Sequence, residues 1–448
     1  MEDIEAFSME AVSGLALAVS VAERLRAAGF AAYLTGGCVR DKLLHRAAKD
    51  FDVATSAPPD KLMNLFPGSG EVGAHFGVVL VRQGDLQVEV ATFRSDLTYR
   101  DGRHPEGVRF ESDPKQDALR RDFTINALML DPVTNEIHDF TGGRADLAAK
   151  MIRAIGDPER RFREDHLRLL RAVRFAARLG FEIEPVTFAA IREFAPLIHS
   201  VSAERVRDEI ARILTEGGAR RGFELLDATG LLTEVLPEVA ALKGVAQPPE
   251  FHPEGDVWTH TLMMLDGLCN PSITLALGVL LHDVGKPATF RVAERIRFDG
   301  HVEKGIEIAH ALLHRLRFPH QVIETVEALI GNHMKFMEVA RMRESTLKRF
   351  MRQPDFEEHM ELHRLDCLSS HGGLDNYEFV RRKQEEVPPE ELKPAPLVSG
   401  RELIAAGYQP GPMFGTVLAE IEDAQLEGRI STAEEAMEMA RARFTAGH

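Results

Sequence analysis

The segments that read as β-strands are confined to the first third of the chain. Four short runs rich in valine, alanine and phenylalanine lie there between glycine, proline and aspartate residues: FAAYLTGG, FDVAT, HFGVVLV and LQVEVATF. From Met151 onward apolar residues recur at helical spacing, with breaks at Gly180, Pro185 and Gly217-Gly218. This segregation predicts an α+β protein in which a small mixed sheet with helices is followed by helices alone.

The chain has 448 residues, which is too long for one ordinary core. Two loops interrupt the helical part: QPPEFHPEGD, and EEVPPEELKPAPLVSG, whose proline and acid content is typical of a linker. We therefore predict four domains, namely an α/β head, a helical neck, a histidine-rich helical domain and a helical tail, at residues 1–150, 151–250, 251–385 and 386–448.

Charge and composition exclude several classes of protein. A net charge of -16 argues against nonspecific coating of nucleic acid, so any RNA contact must be local, and the most basic segment runs from Arg153 to Arg178. No apolar run approaches the roughly 20 residues of a membrane helix, and the start MEDIEAFSME lacks the pattern of a signal peptide. Three widely spaced cysteines suggest neither disulfides nor a cysteine zinc site. We expect a cytoplasmic protein without membrane contact.

The head contains carboxylates suited to phosphoryl transfer. Asp50 and Asp52 are two residues apart at the start of a predicted strand, so both side chains are expected to project from one face and hold Mg²⁺. Glu89, in a neighbouring predicted strand, is a candidate for a third carboxylate at the same site. Two magnesium ions in such a site stabilise the attacking oxygen and the leaving pyrophosphate.

A glycine turn precedes these carboxylates. Gly36 and Gly37 lack Cβ atoms, so their backbone N–H groups can approach a triphosphate closely, and Arg40 would supply a counter-charge. Taken alone, paired glycines are usually only a turn, and a DxD pattern arises by chance on solvated strands. Their order and spacing together carry more information than either.

TGGCVRDKLL followed by KDFDVAT closely resembles the signature of the class II tRNA nucleotidyltransferase and bacterial poly(A) polymerase family, a branch of the polymerase β superfamily. Cys38 is a mild departure from the usual small residue. FRSDLTYRDGRHPEGVRF resembles the family's flexible loop, and DALRRDFTINALMLDP resembles its ribose and nucleotide-binding segment. The resemblance implies a polymerase β-like head in which Arg121 contacts the nucleotide, with Asp122 and Asn126 close by. A surface ion pair is the simpler alternative for RRD.

FREDHLRLLRAVRFAARLGF resembles the family's template helix, which selects the incoming nucleotide. An aspartate acceptor and an arginine fork one helical turn apart can read the Watson–Crick edges of cytosine and adenine. The spacing of three predicts a slowly drifting stripe on one side of the helix, formed by Asp165, Arg168, Arg171 and Arg174. For an isolated helix, a solvated face with internal ion pairs would be the preferred interpretation.

The second half contains histidines and aspartates in an order that resembles the HD phosphohydrolase superfamily, with LLHDVGKP as its most specific piece. The candidate metal ligands are His260, His282, Asp283, His301, His333 and Asp366. Imidazole and carboxylate together suit a second divalent metal such as Mn, Ni, Co or Fe. The resemblance implies phosphodiesterase or phosphatase action, although a degenerate or purely structural helical domain remains open. Six further histidines are interpreted as satisfied core residues: His310, His314, His320, His359, His363 and His371.

The combined resemblance implies an enzyme that adds CCA to the 3′ end of tRNA from CTP and ATP with Mg²⁺ and without a nucleic-acid template. The alternatives are a poly(A) polymerase, a specialist that adds only A or only the two Cs, an HD phosphohydrolase whose head merely binds RNA, and a noncatalytic RNA-binding module. The DGRHP loop argues against a C-only enzyme, because the family associates it with the switch to ATP. The sequence does not indicate the oligomeric state.

Overall fold

The computed structural model describes residues 9–48, 50–71, 77–96, 107–250 and 252–446. Its internal contacts divide the chain into two compact units, Met1–Ala240 and Ala241–His448. The finer division into four domains remains a prediction, and the DGRHP loop lies outside the described residues. No helix within the described ranges combines the length and the apolar character needed to cross a membrane.

All but two of the described strands belong to the first unit. They are β1 Ala32–Thr35, β2 Asp52–Thr55, β3 Gly70–Glu71, β4 Val78–Gln83, β5 Leu86–Thr92, β6 Arg94–Asp96, β7 Val108–Phe110, β8 Met129–Leu130, β9 Ile137–His138, β10 Met151–Ile152 and β11 Glu182–Ile183. A seven-stranded sheet has the order β3-β4-β5-β2-β1-β8-β9. Since β2 pairs antiparallel with β1 and parallel with β5, the sheet is mixed, as predicted.

The helices of the first unit are α1 Met9–Ala27, α2 Gly37–Leu43, α3 Pro59–Leu65, α4 Pro114–Leu119, α5 Gly143–Ala148, α6 Pro158–Glu164, α7 Arg168–Leu179, α8 Pro185–Phe194, α9 Ala203–Thr215, α10 Ala219–Ala228, α11 Leu231–Val235 and α12 Pro237–Ala240. Short 3₁₀ helices span Thr124–Asn126 and Ala195–Ser200. Helix α1 packs against β1, β2 and β5, and α7 packs against α9 and α10. The helix breaks predicted at Gly180 and Pro185 are confirmed.

Two details of the predicted elements are wrong. Strand β2 begins at Asp52, so Asp50 lies before the strand and is exposed, while Phe51 between them is buried. The predicted template helix is two helices, because α6 ends at Glu164 and the backbone of Asp165 is extended, with φ of -153° and ψ of 107°. Asp165 therefore lies in the break before α7 and does not begin a stripe on one helix.

The helices of the second unit are α13 Val257–Asp266, α14 Ile273–Leu281, α15 Lys286–Thr289, α16 His301–Arg315, α17 His320–Asn332, α18 Glu344–Met351, α19 Phe356–Leu368, α20 Asp375–Glu386, α21 Pro389–Leu392, α22 Gly400–Ala405, α23 Pro412–Leu426 and α24 Ala433–Ala446. A 3₁₀ helix spans His333–Arg341. Two short antiparallel strands, β12 Arg291–Val292 and β13 Ile296–Arg297, form a hairpin between α15 and α16. Helix α14 packs against α13, α17 and α19.

A buried ion pair joins α7 to α9 in the first unit. The Nε of Arg174 lies 2.7 Å from Oε2 of Glu209, and the two side chains are only 5% and 4% exposed. Removing one charge would leave the other buried without full compensation. We therefore expect Glu209→Gln to lower the free energy of unfolding by about 3 kcal/mol, measured by urea denaturation.

The matched control for this prediction is Glu224→Gln. Glu224 pairs with Arg220 at 3.0 Å, but these side chains are 45% and 42% exposed. Solvent screens such a pair, so the control is expected to change the free energy of unfolding by less than about 1 kcal/mol. Equal effects of the two substitutions would contradict the assignment of Arg174 and Glu209 to the core.

Candidate functional site

The paired strands β2 and β5 place two of the predicted carboxylates side by side. Asp52 is in parallel register with Glu89. Burial raises the pKa of Asp52 to about 6, and the negative charges of Glu89 and Asp50 act in the same direction. The donor set is all carboxylate and its negative charge is incompletely compensated, which suits a hard cation. In the described part of the chain, the three residues do not form a group whose oxygens all lie within 4.8 Å of one another.

The glycine turn lies directly against this carboxylate. Gly36 has a φ of 76°, a conformation that glycine adopts at little cost. A Cβ atom built on Gly36 would lie 3.3 Å from Oδ2 of Asp52 and 3.6 Å from Nη1 of Arg121. The turn, the carboxylate and the guanidinium therefore lie close together.

Arg40 occupies a different environment from the one predicted. Its side chain is 3% exposed, and its Nε and Nη2 lie 2.8 and 2.7 Å from Oδ1 of Asp41. Its Nη1 donates to Oδ1 of Asn126 at 2.7 Å. The structure thus places Arg40 in a satisfied interior network that ties α2 to the 3₁₀ helix at Thr124–Asn126.

Arg121 is held by a residue that the sequence analysis did not single out. Asp117 on α4 is fully buried and lies within hydrogen-bonding distance of both Arg120 and Arg121. Burial opposes ionisation of Asp117, but the two guanidinium groups lower its pKa. An aspartate four residues before an arginine in a predicted helix-forming segment was the available sequence signal. Asp117 fixes the direction of the Arg121 side chain towards Asp52.

The first two template candidates lie at the break between α6 and α7, with Asp165 in the break and Arg168 as the first residue of α7. Oδ1 of Asp165 accepts a hydrogen bond from the backbone N–H of Leu167, and Oδ2 accepts one from Arg205 of α9 at 2.8 Å. Nη1 of Arg168 donates to Oε2 of Glu164 at 2.9 Å, and its Nη2 donates to the backbone carbonyl of Arg120 at 3.2 Å. The structure therefore brings Asp165 and Arg168 together beside the Arg120-Arg121 segment.

The other two template candidates, Arg171 and Arg174, are held by contacts inside the protein. Arg171 makes two hydrogen bonds to Oδ2 of Asp122, at 2.8 and 2.6 Å. Burial opposes ionisation of Asp122, yet the positive charge of Arg171 lowers its pKa to about 2. The guanidinium groups of Arg174, Arg171 and Arg40 all lie over the Phe175 ring, at 4.3, 5.3 and 5.3 Å from its centroid. Arg174 is the most deeply buried of the four template candidates.

The second unit brings the histidine cluster together, which we define as His260, His282, Asp283, His301, His333 and Asp366. These residues come from α13, α16, α19, the end of α14 and the start of the 3₁₀ helix. Oδ1 of Asp283 lies 3.8 Å from Nε2 of His301 and 4.0 Å from Nε2 of His333, and its Oδ2 lies 3.2 Å from Nε2 of His282. Asp283 is therefore the central carboxylate of the cluster.

Backbone carbonyls orient three imidazoles of the cluster. The Nδ1 atoms of His282, His301 and His333 lie 2.9, 2.9 and 2.7 Å from the carbonyl oxygens three residues earlier. This contact fixes the ring and leaves Nε2 facing the cluster, as in metal sites. Nε2 of His282 is buried and lies 3.2 Å from Oδ2 of Asp283, outside hydrogen-bonding geometry. The donor set and its orientation fit a divalent metal.

Electrostatic effects in the cluster are strong. Burial disfavours the charged form of His260, but the carboxylates of Asp366 and Glu254 raise its pKa to about 9. Burial and the charge of His282 lower the pKa of His333 to about 4. Opposed shifts within one small space are typical of functional sites.

Two further residues of this site were missed by the sequence analysis. Oε1 of Glu254 lies 2.8 Å from Nδ1 of both His252 and His260, and the three could hold a metal as a group. Both missed residues belong to the loop QPPEFHPEGD, which the sequence indicates only as a domain boundary. Of the six histidines assigned to the core, only His359 and His363 are buried. That assignment is wrong for the exposed residues His310, His314, His320 and His371.

Gly285 explains how the HDVGK segment packs against α16. A Cβ atom on Gly285 would lie 2.0 Å from the carbonyl oxygen of His301 and 2.6 Å from the backbone nitrogen of Gly305. Only glycine permits this approach, which brings Asp283 and His301 together.

Comparisons with known proteins match both parts of the chain. Family models match the poly A polymerase head domain at residues 32–153, a probable RNA- and SrmB-binding site of polymerase A at residues 180–243, and an HD domain at residues 257–370. A CCA-adding enzyme of Streptococcus pneumoniae (strain G54) is 31% identical over 420 residues, covering 94% of this chain and 95% of that protein. The chain belongs to the CCA-adding enzyme family. The predicted family, fold class and nucleotidyltransferase class are thereby confirmed.

Other members of the CCA-adding enzyme family are also similar to this chain. The enzyme of Enterococcus faecalis is 48% identical over 197 residues, which is 44% of this chain and 48% of that protein. The crystal structure of the Bacillus stearothermophilus CCA-adding enzyme in complex with CTP has a TM-score of 0.73 at 28% identity, covering 96% of this chain and 98% of that one. The Thermotoga maritima CCA-adding enzyme complexed with tRNA, at 20% identity and a TM-score of 0.60, shares the fold.

Proposed function

We propose that this protein adds C, C and A to the 3′ end of tRNA from CTP and ATP, without a nucleic-acid template. The observation that carries the proposal is the register of Asp52 with Glu89 beside the glycine turn and Arg121. The relatives described as CCA-adding enzymes support it over nearly the whole chain. Extension of tRNA that lacks its CCA end tests it. The proposal places the protein in the cytoplasm, where its tRNA substrate would be.

Asp50, Asp52 and Glu89 would hold Mg²⁺ in the head. When bound, such ions stabilise the attacking 3′ oxygen and the leaving pyrophosphate. Gly37 in the turn would let the backbone approach the triphosphate, and Arg121, aimed by Asp117, would contact the phosphates and ribose. Arg40 would act from the interior by fixing α2 beside the turn.

Asp165 and Arg168 would read the base in this proposal. Asp165 offers an acceptor and Arg168 a donor fork, so together they match the complementary edges of cytosine and adenine. Arg171, through Asp122, and Arg174, through Glu209, would fix α7 at the correct distance. Arg205 would restrain Asp165 until the base arrives.

The selectivity between incoming nucleotides is expected to fall in the variants Asp165→Ala and Arg168→Ala. A good pair of base contacts contributes about 1–3 kcal/mol of discrimination, so the preference for CTP over UTP should fall about 10- to 100-fold. Single-turnover kcat/KM for each nucleotide measures this. Arg192→Ala, an exposed arginine of α8, is the control and should leave the preference unchanged. Full selectivity in both variants would remove the base-reading role.

The histidine cluster supports a second activity. We propose that the cluster holds one or two divalent cations, from the group Mn, Ni, Co and Fe, and hydrolyses phosphate esters. A metal bound there would lower the pKa of its water. The favouring observation is the central position of Asp283 among His282, His301 and His333, each oriented by a backbone carbonyl.

A further inference from the structure

A cavity of about 480 Å³ opens beside the histidine cluster. Asp366 and His301 of the cluster line it, together with cationic and apolar side chains. The cations are Lys286, Arg295 and Arg297, and the apolar groups are Ile296, Phe298, Met334 and Met337. The cavity therefore connects the cluster to the β12–β13 hairpin, and we call residues 291–297 the basic hairpin.

Two arginines of the basic hairpin repel each other when no ligand is bound. Arg291 and Arg297 are directly opposite each other in the antiparallel register. Like charges in that position destabilise a strand pair. Within the described ranges no carboxylate forms an ion pair with Arg291, Arg295 or Arg297, although the chain carries a net charge of -16. An external anion would relieve this repulsion.

The cations extend beyond one phosphate group. Lys286 lies 2.6 Å from Oδ2 of Asp283, at the cluster itself. Arg295 and Arg297 line the cavity, and Arg291, opposite Arg297 on the paired strand, lies outside the cavity lining. Positive charge that continues past the cavity in this way matches the repeated phosphates of a nucleic-acid strand better than a single phosphate.

The apolar side of the cavity suits bases. Met334 and Met337 are 46% and 54% exposed, so both apolar side chains are open to solvent. Phe298 packs with Phe290, and Lys286 lies over its ring. Flexible methionines and an aromatic ring provide surfaces on which bases of any identity can pack.

We propose that the basic hairpin binds the backbone of an RNA strand whose terminal phosphate enters the histidine cluster. The inference rests on the proposed phosphohydrolase activity and names its preferred substrate class: oligoribonucleotide ends over free mononucleotides. For a 2′,3′-cyclic end, the water oxygen bonds to phosphorus and one phosphorus–ribose oxygen bond breaks. The released ribose oxygen takes a proton from the attacking water, which leaves a phosphate monoester.

The test compares an octanucleotide ending in 2′,3′-cyclic phosphate with 2′,3′-cyclic CMP, using the full chain and Mn²⁺ or Ni²⁺. The variant is Arg291→Gln with Arg297→Gln. The control, Arg382→Gln with Arg401→Gln, removes equal charge from exposed arginines of the same unit. We expect the hairpin variant to lose about tenfold more kcat/KM for the octanucleotide than for cyclic CMP, because only the longer substrate reaches both arginines.

A binding measurement separates this inference from the hydrolase proposal. The affinity of the full chain for a labelled octanucleotide with a 3′-phosphate is measured against salt concentration. Loss of two phosphate contacts should make the logarithmic slope shallower by about 1.4 in the hairpin variant, and leave it unchanged in the control. Equal losses for both substrates, or an unchanged slope, would overturn the inference. If neither substrate is hydrolysed, the hydrolase proposal fails. The salt dependence of binding then tests by itself whether the basic hairpin binds RNA.

Discussion

Nucleotidyl transfer to tRNA is expected to fall by about 10³-fold or more when Asp52 is replaced by asparagine, on the order of 4 kcal/mol of transition-state stabilisation. Asparagine keeps the shape of the side chain but removes the charge that would hold Mg²⁺. Asp52 is the half-buried member of the carboxylate set and lies against the turn at Gly36. Single-turnover extension with CTP at pH 8, well above the pKa of about 6, measures the loss.

The control for this substitution is Asp60→Asn. Asp60 is an exposed aspartate of α3 in the same unit, 3.8 Å from Lys61. Its replacement should leave extension within about twofold of the wild type, because exposed pairs contribute little. If Asp52→Asn and Glu89→Gln each extend tRNA as well as the wild type does, the carboxylate site is not the catalytic metal site.

Replacement of Asp283 by asparagine is expected to remove the metal and the phosphohydrolase activity while CCA addition continues. Asp283 is 3% exposed and lies next to His282, His301 and His333. Burial opposes ionisation of Asp283, but the charges of His282 and Lys286 hold its pKa well below the usual range. The carboxylate is therefore ionised and ready to bind a cation. Bound metal, measured by mass spectrometry after dialysis, should fall by about tenfold or more.

His314→Ala is the control for Asp283→Asn. His314 is an exposed histidine of α16, so its loss should change neither metal content nor hydrolysis. Equal metal content in wild type and Asp283→Asn would place the metal elsewhere. Loss of CCA addition together with hydrolysis in a folded Asp283→Asn protein would show that the two activities share one site.

The sequence predicted best those features that depend on residues close together in the chain. The strand runs and the glycine turn predicted the mixed sheet, and the alternation around Phe51 located Asp52 correctly. The exact start of β2 was not predictable, since it depends on pairing with β1 and β5, which lie far away in sequence. Asp50 therefore lies just before the strand that was predicted to contain it.

The template region shows the limit of reasoning from helical spacing. Residues 162–181 are mostly helix-favouring, so a single helix was the simplest prediction. Asp165 instead adopts an extended backbone, because its carboxylate accepts hydrogen bonds from Leu167 and from Arg205. Arg205 is forty residues away, and no local sequence pattern predicts such a contact.

The histidine cluster was predicted residue by residue from its resemblance to a known superfamily, and the structure brings all six side chains together. Glu254 and His252 were missed because they belong to a loop without periodicity. Their proximity to His260 is a product of tertiary packing.

The most direct test of the central claim is extension of tRNA lacking its CCA end, with CTP and ATP supplied separately and together and the products resolved to single nucleotides. The proposal predicts two additions with CTP alone, three with both nucleotides, and none with Asp52→Asn. A long ladder of A would indicate a poly(A) polymerase, a single A or only two Cs would indicate a specialist, and no extension by the wild type would contradict the proposed activity altogether.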